Sequence, residues 1–266
     1  MNLKNLVKKG LLLSIIGALA IGVVGCGSND KKAVSGMDKD QLVLGFDDTF
    51  VPMGFKGDDG EYTGFDIELA KEVSKKLGKD IKLQPIDWTM KESELNNGNI
   101  DFIWNGFSIT EDRKKSVNFS NPYLKNRQVI ITLKDSSIKT KEDLKGKNVA
   151  AQDQSSAVDA IGDYKSNFKE LVTFSTNNEA LIDLEAGRVD AVVADEILGR
   201  YYMKLKGESK YNVLADDFGK EEYAVGIRKD DSKLLEAFNK AFNEVVDEGK
   251  ASEISVKWFG EDIIEK

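Results

Sequence analysis

The chain has 266 residues and a net charge of -8 at pH 7, from 38 basic and 46 acidic side chains, and it contains no histidine. An acidic surface of this kind argues against a nucleic-acid partner. Without histidine the chain cannot form the Ser-His-Asp and Cys-His nucleophile arrangements or the usual zinc sites. Carboxylate chemistry or a carboxylate-bound metal stays open, but no Asp-rich calcium loop is present, and we expect no metal, no cofactor and no catalytic residue.

The first 25 residues have the layout of a secretory signal peptide. Three lysines precede an apolar run from Leu11 to Val24, which is too short for a confident membrane span. We therefore expect residues 1–25 to be a signal peptide that is removed from the mature chain.

Cys26 is the only cysteine of the chain, so no disulfide can form within it. It ends the sequence Val-Val-Gly-Cys, which resembles the lipobox of bacterial lipoproteins, although Val23 stands where Leu is commonest. A buried free thiol is the alternative, but the flank of Gly, Ser, Asn and Asp fits it poorly. We expect Cys26 to be lipidated and residues 26–40 to be a flexible tether, which places the protein outside the cytoplasm on the cell membrane.

Strands and helices alternate in the next part of the chain. Apolar side chains lie on one helical face at Ile67, Ala70 and Val73, and Gly78 is a typical helix stop. The alternation predicts an α/β fold in which helices cover parallel strands. The expected elements are strand Gln41–Phe46, helix Gly64–Leu77, strand Ile81–Ile86, helix Met90–Asn97 and strand Ile100–Trp104.

The stretch from Asp101 to Arg113 collects groups that bind carboxylates. A short apolar strand ends at Gly106, and Ser108, Thr110 and Arg113 follow at once. Hydroxyls, free backbone N–H groups and a guanidinium fork at a strand end can hold a carboxylate. The alternative is that the hydroxyls cap a turn while Arg113 pairs with an acid beside it on the surface.

A second stretch repeats the pattern that leads to this strand end. Glu94–Gly106 and Asp183–Asp195 share Leu-x-x-Gly-x-(Ile/Val)-Asp-x-(Ile/Val) in one register. Each is typical of a helix end, a glycine stop and a buried strand, one leading to Gly106 and the other to Asp195. If two similar lobes face each other, an anion-binding end and a carboxylate meet across a cleft, where a zwitterion fits.

The rest of the chain continues the alternation. Ser155 and Ser156 precede a helix that begins near Ala157, and the N–H groups of its first turn offer a second seat for a carboxylate; an ordinary N-cap serine is the alternative. The other expected elements are strands Arg127–Leu133, Asn148–Ala151, Leu171–Phe174, Val189–Ala194 and Asn212–Leu214, helices Asn178–Ala186 and Glu196–Leu205, a return crossing at Tyr223–Ile227, and two final helices at Leu234–Val245 and Ile254–Trp258.

Five segments carry a family resemblance. They are GFDIELAKEVSKKL from Gly64, SITEDRKKSVNFSNPY from Ser108, VDAVVAD from Val189, YAVGIRKDD from Tyr223 and VKWFG from Val256. In this order they resemble the bacterial family 3 solute-binding proteins, the amino-acid receptors of ABC uptake transporters. The resemblance covers essentially the whole mature chain, and a match of this extent is more specific than any motif within it.

The resemblance implies a type II, periplasmic-binding-protein-like α/β fold of two lobes. Each lobe is then a mostly parallel sheet flanked by helices, and two crossing strands join them. Lobe 1 would comprise residues 41–126 and the return segment 223–266, and lobe 2 residues 127–222. The implied partners of the monomer are a free amino acid, clamped by hinge closure, and the permease subunits of an ABC transporter.

The resemblance also implies residues for the main-chain groups of the ligand. Arg113 would grip the α-carboxylate with both arms of its guanidinium, and Asp195 would take the α-ammonium; an N-cap for the next helix is the alternative for Asp195. The expected helpers are the backbone N–H of Ser108 and of Ser155 or Ser156 for the carboxylate, and the Gly106 carbonyl and Ser108 hydroxyl for the ammonium.

Other matched positions face the side chain of the ligand. Phe50 and Trp88 would sandwich it, although either alone would more often be a core residue. Asp47 matches a position that contacts the ligand in binders of glutamine and of basic amino acids; a solvated loop acid is the alternative. The same pocket is expected to include Asn105, Trp104 and Gln152. The candidate ligands are glutamine, arginine, lysine, histidine and cystine.

Two other functions remain open. Some periplasmic dehydratases resemble these receptors, but catalysis would need an acid or base with a tuned pKa beside the substrate, and no such extra group is evident in the sequence. A sensory protein that presents its ligand to a membrane kinase would have the same pocket.

Overall fold

The computed structural model describes residues 34–265, so the predicted signal peptide and Cys26 lie outside the described residues. Within this range no helix is long and apolar enough to cross a membrane. The helices are α1 (Phe65–Leu77), α2 (Lys91–Asn96), α3 (Arg113–Ser116), α4 (Ser156–Ile161), α5 (Asn177–Glu185), α6 (Glu196–Lys206), α7 (Ser232–Asp247) and α8 (Lys250–Phe259).

The strands of the described part form two five-stranded sheets and one small sheet. The strands are β1 (Gln41–Phe46), β2 (Thr49–Phe50), β3 (Gly54–Lys56), β4 (Tyr62–Thr63), β5 (Asp80–Pro85), β6 (Phe102–Ile103), β7 (Val117–Phe119), β8 (Leu124–Leu133), β9 (Asn148–Gln152), β10 (Glu170–Phe174), β11 (Ala191–Asp195), β12 (Tyr211–Tyr223) and β13 (Gly226–Arg228). The predicted two-lobe α/β fold is confirmed, with one five-stranded sheet in each lobe. The expectation of mostly parallel sheets is wrong, because β13 in lobe 1 and β8 in lobe 2 each pair antiparallel with two neighbours, which makes both sheets mixed.

The sheet of lobe 1 has the strand order β5-β1-β6-β13-β7. β1 pairs in parallel with β5 and β6, whereas β13 arrives from late in the chain and pairs antiparallel with β6 and β7. Side chains alternate along β1, so Leu42 and Leu44 join the core that includes α1 and α7, while Val43 packs on the other face against the cluster of Leu95 and Ile100.

The sheet of lobe 2 has the strand order β10-β9-β11-β8-β12. β9 pairs in parallel with β10 and β11, and β8 pairs antiparallel with β11 and β12. Ala150 and Val192 face the larger core, while Val149, Ala151 and Val193 face the cluster that covers the opposite side. Both sides of the sheet are therefore buried around β9 and β11, which explains why these two strands are almost continuously apolar.

Two long strands cross between the lobes as a paired ribbon. β8 leaves lobe 1 at Leu124, β12 returns to it at Tyr223, and these two residues are directly paired. The chain then enters β13 in the sheet of lobe 1, so that lobe is discontinuous in sequence, as the resemblance implies. β12 is much longer than the predicted strand at Asn212–Leu214. Its polar residues and two register shifts, between Val213 and Asp217 and between Asp217 and Lys220, hide the strand pattern.

The folded part begins earlier than predicted. Residues Gly36–Asp38 form a 3₁₀ turn instead of the end of a flexible tether. The Ser35 hydroxyl and the Gly36 N–H donate to the Asp231 carboxylate at 2.5 and 2.7 Å. The Lys39 ammonium lies 2.7 Å from Asp101. A polar segment without periodicity resembles a linker in sequence, but this one is held in place by the carboxylates of Asp231 and Asp101, which are distant in the sequence.

Candidate functional site

Four strand ends meet between the lobes. β1 is followed by Asp47 and β6 by Asn105 in lobe 1, while β9 is followed by Ser155 and β11 ends at Asp195 in lobe 2. Open α/β sheets bind ligands beyond the carboxyl ends of their strands, because the loops and helix N-termini gather there. The fold thus brings the two copies of the repeated sequence pattern to opposite sides of one cleft.

One cavity lies where these strand ends face each other. Its empty volume is about 270 Å³. It is lined by Asp47, Phe50, Trp88, Asn105, Gly106, Arg113, Gln152, Ser155, Ser156 and Asp195. Every residue that the sequence predicts for the pocket is in this lining except Ser108 and Trp104; the Ser108 hydroxyl is 3.0 Å from that of Ser156, which is in the lining. Trp104 is not in the lining and packs against Phe238 in the core. Contact between these residues and a ligand remains a prediction.

Arg113 enters the cavity as a buried cation whose fork is held in place. It is the first residue of α3 and is 6% exposed. Its Nη1 donates to the Ser108 carbonyl at 2.9 Å and its Nη2 to the Gln154 carbonyl at 3.3 Å. The guanidinium carbon lies 4.5 Å from the centre of the Phe107 ring. These contacts span both lobes and aim the fork, which is what recognition of a planar carboxylate requires.

The alternative reading of Arg113 as a surface ion-pair partner is wrong. Glu111 pairs with Lys114 and Asp112 pairs with Lys115, and all four side chains are exposed. Burial lowers the pKa of the Arg113 guanidinium, while the charge of Glu92 opposes this effect. Because an arginine stays protonated even then, the cavity keeps a fixed positive charge.

Lys91 adds a second cation that the sequence reading missed. Its side chain is almost fully buried, and its ammonium donates to the carbonyls of Trp88 at 3.1 Å and Gln154 at 3.0 Å. Burial, together with the charge of Arg113, lowers the pKa of Lys91 to about 8. Gln154 has a positive φ of 50°. Its carbonyl, just before α4, accepts hydrogen bonds from both Lys91 and Arg113.

Asp195 provides the opposite charge from lobe 2. Its Oδ1 accepts hydrogen bonds from the Tyr223 hydroxyl at 2.6 Å, the Asn126 amide at 2.7 Å and the Gln128 amide at 3.1 Å. Burial, and then the nearby charge of Glu221, raises the pKa of Asp195 well above its usual range. The residue stands at the N-cap of α6, but its side chain makes no capping hydrogen bond. The alternative role as a helix cap is therefore wrong.

Asp47 closes the far side of the cavity within a network of polar side chains. Its Oδ1 accepts from the N–H and the hydroxyl of Thr49 at 2.9 and 2.6 Å, and its Oδ2 accepts from the Gln152 amide at 2.7 Å. The Gln152 oxygen in turn accepts from Asn177 at 2.8 Å. Burial raises the pKa of Asp47, and the hydrogen bonds oppose this shift. A solvated loop acid, the alternative reading, does not describe a residue that is 6% exposed.

Aromatic side chains form the apolar walls. Phe50 and Trp88 both line the cavity and both are buried. Trp88 opens a 3₁₀ turn that is capped by the Asp87 carboxylate, and its ring meets Phe107 edge-on at 5.9 Å. Flat apolar surfaces of this kind suit contact with an extended side chain.

Hydroxyl groups from both lobes meet beside the cavity. The hydroxyls of Ser108 and Ser156 are 3.0 Å apart, and Ser156 also accepts from Gln128 at 3.1 Å. Ser155 precedes α4 as its N-cap, and its N–H donates to the Gln152 carbonyl at 3.3 Å. Because the turn already uses the N–H of Ser155, Ser156 is the better candidate for the carboxylate donor of lobe 2.

A buried carboxylate fixes the strand end at Gly106. Asp66 accepts from the Gly106 N–H at 2.7 Å and from the Tyr123 hydroxyl at 2.9 Å. Gly106 has a φ of 58°, and a Cβ there would lie 2.9 Å from Phe50 and 3.0 Å from Tyr223. Only glycine fits this position, which explains why a glycine stands at this end of the strand.

Several polar residues around the cavity were not predicted. Asn126 and Gln128 interrupt the apolar strand β8 two residues apart, which puts both amides on one face of it. That spacing was a usable signal. Glu221 offered none, because it lies in a charged run of β12 and reaches Asp195 only through the pairing of β12 with β8.

Comparison with known proteins places this geometry in a family. Residues 42–261 match the bacterial extracellular solute-binding proteins, family 3. The arginine-binding extracellular protein ArtP of Bacillus subtilis (strain 168) is 33% identical over 261 residues, which cover 95% of this chain and 98% of that protein. The L-cystine-binding protein TcyJ of Escherichia coli (strain K12) is 30% identical over 264 residues, which cover 94% of this chain and 96% of that protein.

Solved structures agree with the sequence relatives. The crystal structure of an ABC uptake transporter substrate binding protein from Streptococcus pneumoniae with bound histidine is 44% identical to this chain. It superposes with a TM-score of 0.84 over 86% of this chain and 96% of that one. Sequence, fold and cavity lead to one conclusion: the chain belongs to family 3 of the bacterial extracellular solute-binding proteins.

Proposed function

We propose that the protein is an extracytoplasmic receptor that binds a polar or cationic L-amino acid between its lobes and delivers it to an ABC importer. One observation carries the proposal. Arg113 from lobe 1 and Asp195 from lobe 2 line the same small cavity, where a guanidinium matches an α-carboxylate and a carboxyl group matches an α-ammonium.

The selectivity for the side chain of the ligand is assigned to Asp47 and Gln152. A carboxylate and an amide on the far wall offer acceptors to a carboxamide, a guanidinium or an ammonium, and a buried carboxylate repels an acidic side chain. The relatives named for arginine and L-cystine, and the related structure with bound histidine, support a ligand of this chemistry.

A thermal-shift panel tests the proposal. A form of the chain that begins at Gly27 is melted with L-glutamine, L-arginine, L-lysine, L-histidine and L-cystine, with L-glutamate and L-leucine as controls. A ligand at about a hundred times its dissociation constant adds roughly 2.7 kcal/mol to the free energy of unfolding. Melting curves that stay unchanged across the panel would contradict amino-acid binding.

We also propose that the receptor is a monomer held on the cell membrane by lipid on Cys26. The Cys26→Ala chain should leave the membrane fraction and keep its affinity, because the cavity is lined by residues from Asp47 onward and Cys26 is not among them. Retention in the membrane fraction would indicate an uncleaved anchor instead.

The same site argues for a receptor without catalysis. Arg113 and Asp195 are matched to groups that stay unchanged in a bound amino acid. We expect any amino acid that binds to be recovered intact after long incubation with the protein, and chromatography of the recovered ligand checks this.

A further inference from the structure

Two carboxylates lie side by side at the inner end of the cavity. Asn126 Nδ2 is 2.7 Å from Asp195 Oδ1 and 2.6 Å from Glu221 Oε1. Gln128 Nε2 is 3.1 and 2.8 Å from the same two oxygens. Since each amide nitrogen reaches both oxygens, the two carboxyl groups are neighbours. Asp195 faces the cavity and Glu221 lies behind it.

Neutral hydrogen-bond donors offset the negative charge of the two carboxylates only in part. Asp195 is 4% exposed, whereas Glu221 is only partly buried. The repulsion between two carboxylates this close disfavours the ionised form of the buried one most strongly, because the repulsion is less screened there. The Nη1 and Nη2 groups of Arg113 donate to the carbonyls of Ser108 and Gln154 and supply no direct partner to the pair. The raised pKa of Asp195 is the expected response to burial beside Glu221.

We propose that Asp195 retains a proton, shared with Glu221, until the α-ammonium of an amino acid enters, and that binding releases this proton to solvent. The proposal rests on the proposed function, because it takes the amino acid as the ligand. The O–H bond of the Asp195 carboxyl breaks, the proton passes to a buffer base, and the ammonium replaces it as the cation beside both carboxylates. Glu221 is therefore a positioning residue that acts through Asp195.

The charged and titratable groups around this pair do not take up the proton that is assigned to Asp195. The Tyr223 hydroxyl donates to Asp195 at 2.6 Å, and since its pKa is raised well above its usual value it stays a donor at neutral pH. The charge of Arg113 acts on the pair from lobe 1 and stays fixed. On α6, the carboxylate of Glu196 is held in an ion pair by an arginine of β8.

Calorimetry with L-arginine measures the released proton directly. The titration is run at pH 6.5 in phosphate and in imidazole, whose ionisation enthalpies differ, at matched ionic strength. We expect close to one proton released per arginine bound. The dissociation constant should fall about tenfold for each pH unit between pH 5.5 and 6.5, because the proton must leave before the ammonium binds. L-Glutamine is the second probe, and neither probe titrates near this pH.

Two matched variants separate this role from a structural one. In Glu221→Gln the shared proton loses its partner, so we expect at most half of the wild-type proton release and a flatter pH profile. Glu222→Gln removes the same charge from the next, exposed residue of β12 and should behave as the wild type. A purely structural role of Glu221 would change the dissociation constant by one factor at every pH and leave the proton count unchanged.

The outcomes distinguish this proposal from the function on which it rests. Heat of binding that is equal in the two buffers for the wild-type protein would overturn proton release while amino-acid binding stands. Unchanged proton release in Glu221→Gln would overturn the sharing with Glu221. The absence of binding heat for both probes, with an unchanged thermal-shift panel, would overturn the proposed function and this inference together.

Discussion

Replacing Arg113 with lysine keeps the positive charge and removes the fork. In the structure Arg113 places one nitrogen on the Ser108 carbonyl and another on the Gln154 carbonyl while its plane lies over Phe107. A single ammonium cannot make these contacts and also hold both oxygens of a carboxylate. One lost charge-assisted hydrogen bond costs about 1.5 to 3 kcal/mol, and the lost stacking adds about 1 kcal/mol. We therefore expect Arg113→Lys to weaken binding by roughly 2.5 to 4 kcal/mol, about sixtyfold to nearly a thousandfold.

Titration calorimetry checks this value against a matched control. Arg188→Lys makes the same chemical change at an arginine that is 58% exposed and pairs with Asp183 on the surface, so it should bind as the wild type does. The loss in Arg113→Lys should have the same size for every amino acid that binds, because all of them carry the α-carboxylate. Binding by Arg113→Lys within threefold of the wild type would refute the assignment of the carboxylate grip.

Three further changes probe other parts of the site. Asp47→Asn should weaken a cationic amino acid by about 1 to 3 kcal/mol and relax the rejection of glutamate, as measured by competition binding. Gly106→Ala should lower the free energy of unfolding by about 1 to 3 kcal/mol in urea titrations, because its φ of 58° and its 2.9 Å approach to Phe50 leave no room for a Cβ. Burial raises the pKa of Asp66 to about 7, so the stability that this group contributes is fully present below about pH 4 and is lost as the pH rises to about 7. Urea titrations across this range should show a fall of up to roughly 4 kcal/mol that Asp66→Asn reduces.

Each of these expectations has a clear contrary result. An unchanged ranking of amino acids in Asp47→Asn would remove Asp47 from the site. Wild-type stability in Gly106→Ala would mean that the strand end relaxes without cost. A pH profile of the same slope in Asp66→Asn as in the wild type would show that another group controls stability in this range.

The fold was predictable where local pattern and burial agree. Apolar periodicity at Ile67, Ala70 and Val73 marks α1, and alternation of strands and helices led to the α/β fold that the structure confirms. The repeated pattern ending at Gly106 and Asp195 also indicated which strand ends face each other. Both signals can be detected in a single sequence because each depends on residues that are close along the chain.

Features that depend on distant pairing were not predictable. β12 carries acids and lysines on its exposed positions and contains two register shifts, so only its pairing with β8 makes it a strand. The turn at Gly36 looks like a linker because its partner, Asp231, lies 195 residues away. Glu221 is a surface-like acid in sequence and becomes part of the site only through the amides of Asn126 and Gln128.

The ribbon of β8 and β12 has a mechanical consequence. The two strands are hydrogen-bonded to each other where they pass between the lobes, from Leu124 paired with Tyr223 to Arg127 paired with Lys220. They therefore behave mechanically as one two-stranded sheet and not as two independent linkers. A two-stranded sheet bends easily out of its plane and resists stretching and shearing within its plane. We therefore expect relative rotation of the lobes to be easiest about the axis along which this ribbon bends. Rotation about one axis would bring Arg113 and Asp195 together in the same register each time the cleft closes.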